Sequence, residues 1–176
     1  MDLFLFGKEL FEAQVRYNTL EHELFNNQKT ADEIIRDLRK KVTRADFIRS
    51  ETECLAKNIF FEAQVEEYRG KMAVATVTVN RAQSKRFPAT ICGVVMQRSS
   101  NGCQFSWVCD NKSDIVTNKK EYMKSVAIAE SVVIDNKRLR ELPFDTLYYH
   151  ADYVTPDWAK TKKLFAKIGT HIFYRG

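Results

Sequence analysis

The feature that most restricts the fold of this chain is an alternation of three- and four-residue steps between apolar residues over its first 24 positions. Such steps place side chains along one stripe of a helix that packs against another helix. The stretch NNQK at 26–29 interrupts the stripe, and Thr30 with Glu33 has the capping-box spacing that opens a second helix. Residues 1–50 are therefore predicted to form a helical hairpin, with its two apolar stripes at Leu3, Phe6, Leu10, Ala13, Tyr17, Leu20 and Leu24, and at Ala31, Ile35, Leu38, Val42 and Ala45.

This predicted arm carries equal numbers of acidic and basic residues. An apolar stripe requires a covering surface without specifying which surface that is. Two alternatives follow: the arm packs on the rest of the chain, which the pattern favours, or it mediates dimerisation or docking to a partner.

The composition is that of a globular protein. The 176 residues are 44% hydrophobic and 29% charged, with only three prolines and six glycines, which argues against a disordered or fibrous chain. No apolar run approaches the ~18 residues of a membrane span. The opening MDLFLFGKEL carries Asp2 where a secretory signal carries Lys or Arg, so we expect no signal peptide and synthesis in the cytoplasm.

The net charge of +5 arises entirely beyond residue 50. A basic surface favours polyanions such as nucleic acid, anionic lipid or the acidic polymers of a bacterial wall, although mild basicity also serves solubility alone. The basic residues are not interleaved with aromatic ones in the manner of a nucleic-acid site, so no nucleic-acid partner is predicted.

The four cysteines are Cys54, Cys92, Cys103 and Cys109, and none forms a CxxC pair, which makes a zinc ribbon improbable. The spacing of Cys103 and Cys109 suits a small disulfide loop. Synthesis in a reducing cytoplasm favours free thiols, which is the state predicted here.

From about Glu51 the pattern changes, and residues 51–176 are predicted to form a separate domain. The segment ETECLAKNIFFEA continues helically, KMAVATVTVNRAQ suits a strand or a helix, and KEYMKSVAIAESVVI is an amphipathic helix. The segment LPFDTLYYHADYVTPDW indicates strand and loop, and KTKKLFAKIGTHIFYRG an irregular aromatic end. The fold class is therefore α+β and mainly helical, preceded by the arm.

Glu62 departs from the pattern around it, because it follows three apolar residues where another apolar residue would continue the helix face. A carboxylate on such a face is desolvated, and desolvation raises its pKa. A carboxylic acid that stays protonated can donate a proton to a leaving oxygen, as glycoside cleavage requires. The alternative is a glutamate that ends the helix and faces water.

Other sets of polar residues carry weaker signals. His150 and His171 with Asp152 or Asp157 have metal-binding side chains but lack the HExxH spacing, so no metal and no cofactor is predicted. A nucleophilic pair of Cys103 or Cys109 with His150 lacks any local feature that activates the thiol.

Four segments, read in order, resemble the SleB-type cell-wall hydrolases, the family of spore-cortex lytic enzymes that also includes bacteriophage lysins. The segments are FEAQVEEYRGKMAVATVTVNR, FPATICGVVMQ, CQFSWVCD and LYYHADYVTPDWAKTKKLFAKIGTHIFYR. The resemblance covers about Cys54 to Arg175 and omits the arm. It implies a lysozyme-like fold with a glycan cleft, and cleavage of the sugar backbone of peptidoglycan.

The family's catalytic glutamate opens the motif E-A-R-G-E-x-x-x-G, which falls on Glu62, Glu66 and Gly70. Gln64 replaces the usual arginine and Val65 the usual glycine, departures that bear on loop geometry and substrate preference rather than on the acid. By resemblance, the substrate-binding residues are Gln104, Phe105 and Ser106 of the Q-F-S match and, in the aromatic tail, Tyr149, His150, Trp158 and His171.

One acid without an obvious partner carboxylate favours a lytic transglycosylase over a hydrolytic muramidase, which usually needs a second carboxylate. A wall-binding or virion structural protein without activity is the alternative from another class. With no signal peptide expected, the predicted setting is a phage lysin that reaches the wall from the host cytoplasm, or an enzyme packaged in the virion.

Overall fold

The computed structural model describes the backbone of residues 3–100 and 102–176, and the side chains from residue 12 onward except that of residue 101. The chain divides into two units, Met1–Asp46 and Phe47–Gly176, which are described separately below. The first helix, α1, runs from Leu3 to Ala63.

In the first unit, the predicted hairpin is wrong, because α1 continues without a break through residues 26–29. The amides of this stretch bond along the helix instead of ending it: Asn26 contacts His22 at 3.0 Å, and Gln28 donates to Asp32 at 3.2 Å. Thr30, predicted to cap a second helix, donates to the carbonyl oxygen of Asn26, as a threonine in a helix interior does. With neither Gly nor Pro in the stretch, nothing forces a turn.

Among the side chains that the structure describes, the two predicted apolar stripes are not buried within the first unit. Tyr17, Leu20, Leu24, Leu38 and Val42 are each more than half exposed, since a single helix offers them no second helix to contact. Leu3, Phe6 and Leu10 belong to the same stripe, but their side chains lie outside the described residues.

The second unit is built around a buried helix, α2 (Tyr68–Gln83). Its segment from Gly70 to Arg81 is buried on all sides, which explains why its sequence suits strand and helix equally: a helix covered all round has no polar face to give a 3.6-residue period. The hydroxyls of Thr76 and Thr78 donate hydrogen bonds to the backbone carbonyls four residues earlier, those of Met72 and Val74.

The last turns of α1 pack against this central helix. Leu55, Ala56, Ile59 and Phe60 are almost completely buried, in agreement with the helix predicted for 51–63. Buried polar groups are also paired. Asn58 donates to Thr78 at 3.1 Å and accepts from the Trp107 indole at 3.0 Å, which connects α1, α2 and the 103–109 segment.

Two further helices complete the helical layer: α3 (Ile91–Val95) and α4 (Lys119–Val133). The Thr90 hydroxyl caps α3 and the Asn118 side chain caps α4. Helix α4 confirms the amphipathic prediction, since Ser125, Ile128, Ala129 and Val132 are buried. Between α3 and α4 lie the short antiparallel pair β1 (Arg98–Ser99) and β2 (Gly102–Cys103) and a 3₁₀ turn, Ser106–Val108.

The C-terminal part forms an antiparallel sheet in the order β3-β5-β4. The strands are β3 (Thr146–Ala151), β4 (Lys163–Ile168) and β5 (His171–Arg175), and a 3₁₀ turn spans Asp157–Thr161. The predicted irregular end is wrong: β4 and β5 form a hairpin whose two-residue loop begins with Gly169 at a φ of 59°. This left-handed conformation is the one a tight hairpin needs and glycine adopts without strain.

The prediction of free thiols is also wrong. Disulfides join Cys54 to Cys92 and Cys103 to Cys109, and their Cα atoms are 5.2 and 6.0 Å apart. The first bond links α1 to α3, and the second closes the segment that carries Gln104, Phe105 and Ser106. The expectation failed because it rested on an assumed compartment and not on the distances that the fold imposes.

The prediction of a mainly helical α+β class is confirmed. No helix among the residues that the structure describes is both long and apolar enough to cross a membrane.

Candidate active site

Glu62 lies in the last turn of α1, directly after the apolar residues that anchor this helix in the core. Its side chain is partly buried, and Oε2 accepts a hydrogen bond of 3.1 Å from the Tyr149 hydroxyl of β3. The helix end therefore presents one carboxylate to the sheet.

The electrostatic state of Glu62 follows from its surroundings. Burial raises the pKa of this carboxyl, while the Tyr149 hydrogen bond and the positive charge of Arg81 act in the opposite direction without cancelling the effect of burial. The pKa of Tyr149 is also raised, first by burial and then by the neighbouring Glu62 charge, so the phenol stays protonated and donates. The site thus holds a carboxyl group with an increased affinity for its proton.

A cavity of about 530 Å³ opens in front of Glu62. Six of the eight residues predicted as site residues line it together, and three further residues that sequence reasoning missed complete the lining. The predicted six are Glu62, Gln104, Phe105, Ser106, Tyr149 and Trp158, and the additional three are Arg81, Cys103 and Tyr148.

Arg81, the most informative of the missed residues, is buried near the end of α2 and donates from Nε to the Leu147 carbonyl at 2.8 Å. Three aromatic rings, those of Phe87, Phe105 and Tyr149, surround its guanidinium at 5.3–5.7 Å. The sequence carried one usable signal: Arg81 follows, directly after Asn80, an uninterrupted run of apolar and threonine residues from Met72 to Val79.

His150 stands behind the cavity wall. Its Nε2 lies 2.9 Å from the Tyr174 hydroxyl, and its ring meets the Trp158 ring edge-on at 5.6 Å. This histidine is not among the residues that line the cavity, although it was predicted as a substrate contact. Its contacts fix the position of Trp158, which does line it.

His171, the other predicted substrate contact outside the lining, is buried beside Glu66. Its Nδ1 lies 3.3 Å from Glu66 Oε1, and its ring meets Tyr149 edge-on at 5.2 Å. Burial lowers the pKa of His171 despite the neighbouring carboxylate. The histidine therefore supports Tyr149 from behind.

Glu66 connects the α1–α2 loop to the β4–β5 turn. It accepts hydrogen bonds from the backbone amide of Thr170, at 2.8 Å, and from the Thr170 hydroxyl. Burial favours a raised pKa, but the Thr170 hydrogen bonds outweigh it and the pKa of Glu66 is lowered. A side-chain carbon on Gly70 or Gly169 would collide with this carboxylate, which explains the E-x-x-x-G spacing as close packing.

The two departures from the motif, Gln64 and Val65, lie in this same loop. Val65 is 88% exposed and has a negative φ, so a β-branched side chain replaces the usual glycine without backbone strain. The loop geometry around Glu62 therefore does not depend on that glycine.

No second carboxylate lines the cavity among the residues that the structure describes. Three acids of this domain that a hydrolytic mechanism could recruit have other contacts: Glu66 binds Thr170, Asp152 pairs with Lys167 at 2.7 Å, and Asp110 accepts from the Lys112 amide at 2.9 Å. Nor does any group of three or more potential metal ligands occur in the described parts of the chain.

A second cavity, of about 790 Å³, lies between the α1–α2 loop and α4. It is larger, but its buried cation Lys71 already pairs with Glu121 at 2.8 Å, and Lys124 binds the other oxygen of that carboxylate. The smaller cavity combines a carboxyl of raised pKa with aromatic walls, and it is therefore the better candidate site.

Comparison with known families gives a match over residues 65–174 to the family described as Cell Wall Hydrolase. The match begins three residues after Glu62, so it covers the cavity walls and not the acid itself. The resemblance found in the sequence is confirmed by this match.

Curated relatives include two spore cortex-lytic enzymes. One, from Bacillus cereus, is 29% identical over 72% of this chain and 45% of the relative. The other, from Oceanobacillus iheyensis, is 30% identical over 72% of this chain and 42% of the relative. The chain thus spans less than half the length of these relatives.

Two solved structures are similar. The catalytic domain of the Bacillus cereus SleB protein has a TM-score of 0.55 and 26% identity, covering 72% of this chain and 91% of that one. The catalytic domain of the germination-specific lytic transglycosylase SleB from Bacillus anthracis has a TM-score of 0.55 and 30% identity, covering 71% and 93%. The predicted lysozyme-like fold is confirmed by this similarity.

Proposed function

The chain belongs to the cell wall hydrolase family, and on this premise we propose that it cleaves the glycan strands of peptidoglycan between N-acetylmuramic acid and N-acetylglucosamine. The observation that carries the proposal is the partly buried carboxyl of Glu62, with its raised pKa, at a cavity large enough for sugar rings. A protonated acid in such a position supplies the proton that a departing glycosidic oxygen needs.

We propose the reaction of a lytic transglycosylase. Glu62 donates its proton to the glycosidic oxygen, the bond from that oxygen to muramyl C1 breaks, and the N-acetylglucosamine 4-hydroxyl departs. The Glu62 carboxylate then removes the proton of the muramyl 6-hydroxyl as its oxygen bonds to C1. The product is a 1,6-anhydro ring, Glu62 regains its proton, and no water is consumed.

The lack of a second carboxylate among the described residues lining the cavity supports this pathway over a hydrolytic one. Tyr149 orients the acid through its hydrogen bond. Gln104 and Ser106 offer polar groups to the sugar, and Trp158 offers an aromatic face on which a pyranose ring can stack. His150 and His171 serve as supports behind Trp158 and Tyr149.

Product analysis in ¹⁸O-labelled water tests the proposal. We expect fragments ending in 1,6-anhydromuramic acid, without ¹⁸O and one water lighter than the corresponding hydrolysis products. Reducing muramic acid ends carrying one ¹⁸O would replace the proposal by a hydrolytic muramidase. If peptidoglycan were bound but left uncut under all conditions, the chain would be a wall-binding protein.

The compartment in which the protein acts, and the kind of wall that it cleaves, are a separate part of the proposal. We propose action at the bacterial wall, outside a reducing cytoplasm, because two disulfides are typical of oxidising compartments. A phage lysin acts on vegetative walls, whereas the curated relatives are named for the spore cortex. Comparing initial rates on purified vegetative sacculi and purified cortex tests the phage setting, which requires the faster rate on sacculi.

A further inference from the structure

Arg81 is a cation whose charge the surrounding protein does not neutralise. The residue is 3% exposed, and Nε binds the Leu147 carbonyl, an uncharged acceptor. Nη1 is buried without a hydrogen-bond partner, and no carboxylate among the described residues forms an ion pair with this guanidinium. A guanidinium remains charged in proteins, so a full positive charge is held inside the domain.

Lys71, another buried cation of this domain, differs from Arg81 in having a carboxylate partner. Lys71, 4% exposed on the same helix, has the carboxylate of Glu121 at 2.8 Å. Buried charges are ordinarily paired in this way, since an isolated one is costly. The missing partner of Arg81 therefore calls for a functional reason.

Glu62 is the acid placed to respond to this charge. Both residues line the same cavity, and Tyr149 connects them: its ring lies 5.7 Å from the Arg81 guanidinium, while its hydroxyl binds Glu62 Oε2 at 3.1 Å. The rings of Phe87 and Phe105 cover the guanidinium elsewhere and limit screening by water. In such a water-poor cavity, the positive charge of Arg81 acts on the Glu62 carboxyl across the Tyr149 ring.

We propose that Arg81 is a positioning residue whose uncompensated charge stabilises the ionised form of Glu62 halfway through the reaction. The inference rests on the proposed function, in which Glu62 first gives away a proton and must then exist as a carboxylate inside a desolvated cavity. Without a counter-charge, burial would oppose that ionised state. Tyr149 alone, as a neutral donor, offsets the burial only in part.

The direction of the effect on Glu62 can be worked out from its surroundings. Two ionisable groups act on Glu62 from the elements packed around it, Tyr149 from β3 and Arg81 from α2, and the 103–106 segment adds none. Removing the Arg81 charge removes an influence that lowers the pKa of Glu62, so that pKa rises further. Since an opposite charge in close contact shifts a carboxyl by 1–3 units, a shift of about one unit is expected across the Tyr149 ring.

The test is a side-chain titration of Glu62 by NMR in protein labelled with ¹³C at the glutamate carboxyl, with the Glu62→Gln variant assigning the resonance. Arg81→Gln keeps a donor for the Leu147 carbonyl, and Arg81→Met keeps the apolar stem among the rings, so that one uncharged variant serves if the other does not fold. In either, the midpoint of Glu62 should move up by about one pH unit. Arg81→Lys retains the charge and should titrate within a few tenths of a unit of the wild type.

Lys71→Met is the matched control, because it removes a buried cation from the same helix that already has its own carboxylate. It should leave the Glu62 midpoint unchanged whatever it costs in stability. An unchanged midpoint in a folded, uncharged Arg81 variant, or an equal rise in Lys71→Met, would overturn the proposal. The titration needs no substrate, so it stands apart from the product analysis: reducing-end products would contradict the transglycosylase without altering the Arg81 result.

Discussion

The carboxyl of Glu62 illustrates how one residue obtains its chemistry from three features of its surroundings. The helix places it beside core residues that desolvate it, Tyr149 orients one oxygen, and Arg81 moderates the effect of burial on its pKa. The result is an acid that holds its proton more tightly than an exposed glutamate and can still lose it.

Glu62→Gln should lower the rate of wall cleavage by about two orders of magnitude or more. Glutamine has the shape of glutamate but cannot give up and regain a proton. Initial rates of sacculus digestion measure this effect. Glu67→Gln is the control, because Glu67 is an exposed acid at the start of α2, outside the lining of the Glu62 cavity, and its variant should keep full activity. Near wild-type rates in Glu62→Gln would remove the assignment of Glu62.

The same variant has a stability signature whose sign is fixed by burial. The folded-state pKa of Glu62 is raised, so ionisation weakens the folded protein as pH rises from the unfolded-state value through the folded-state one. Glu62→Gln avoids this cost and should be the more stable protein at pH 8, with the difference disappearing in acid. Denaturant unfolding at both pH values makes the comparison.

At this scale the sequence was informative where one residue breaks a pattern and uninformative where contacts form across the fold. Glu62 stood out among apolar neighbours, and its surroundings raise its pKa as anticipated. Arg81 was missed because its surroundings are assembled by the fold: Phe87 is near it in sequence, but the rings of Phe105 and Tyr149 come from distant parts of the chain. His171 was assigned to substrate by the family resemblance, while the fold places its Nδ1 beside Glu66.

Between elements, Glu66 is the main polar link from the α1–α2 loop to the β4–β5 hairpin. Its lowered pKa means that the ionised form is bound more tightly in the folded protein, so its contribution is present above the unfolded-state pKa and is lost as pH falls through the folded-state one. This link holds the start of β5 close to the α1–α2 loop. It thereby positions His171, whose ring contacts Tyr149.

Glu66→Gln should therefore lower the free energy of unfolding at neutral pH by about 1 kcal/mol, the usual difference between a hydrogen bond to a charged acceptor and one to a neutral acceptor. The loss should diminish in acid, where the wild-type carboxylate is protonated as well. Melting temperatures across pH provide the measurement, with Glu67→Gln again as the neighbouring control. A deficit that stayed constant with pH would mean that the charge of Glu66 is irrelevant to the link.

The first unit was correctly predicted to be helical, but the predicted break between two helices is wrong. The local signals for a break at 26–29 are weak, because the residues around them are compatible with a helix. A continuous helix also allows one heptad repeat to run through both halves of the first unit. From Leu24 the same register passes through Asn27 and reaches Ala31, Ile34 and Leu38. A polar residue at one seam position is a common device for fixing the alignment of coiled-coil partners.

We expect this seam to bring two copies of the chain together in parallel. In that alignment Arg16 of one copy would face Glu21 of the other across the seam, a favourable pair. Replacing Leu20 and Leu24 by serine should weaken self-association at least tenfold, as measured by sedimentation across a concentration series. Val15→Ser, which changes an exposed apolar residue off the seam, should not. A full-length chain that stays monomeric at every concentration would contradict the expectation.

Across the second unit as a whole, the two disulfides constrain segments of very different length. Cys54–Cys92 spans 38 residues that include Glu62, Arg81 and all of α2, whereas Cys103–Cys109 spans six and holds the Gln104–Ser106 segment of the cavity wall. On the loop-entropy relation the first stabilises by about 4 kcal/mol and the second by about 2 kcal/mol.

The Cys54→Ser/Cys92→Ser variant should therefore lose more unfolding free energy but retain its activity at temperatures where it is folded, because the core contacts still position Glu62. Cys103→Ser/Cys109→Ser should lose less stability and more activity, because an untethered segment holds Gln104 and Ser106 less firmly at the cavity. Denaturant unfolding and initial rates of sacculus digestion, measured on both variants at one temperature below either transition, separate the two effects. Equal losses of activity in the two folded variants would mean that the 103–109 loop is held in place by Phe105 and Trp107, which are both buried, and not by its disulfide.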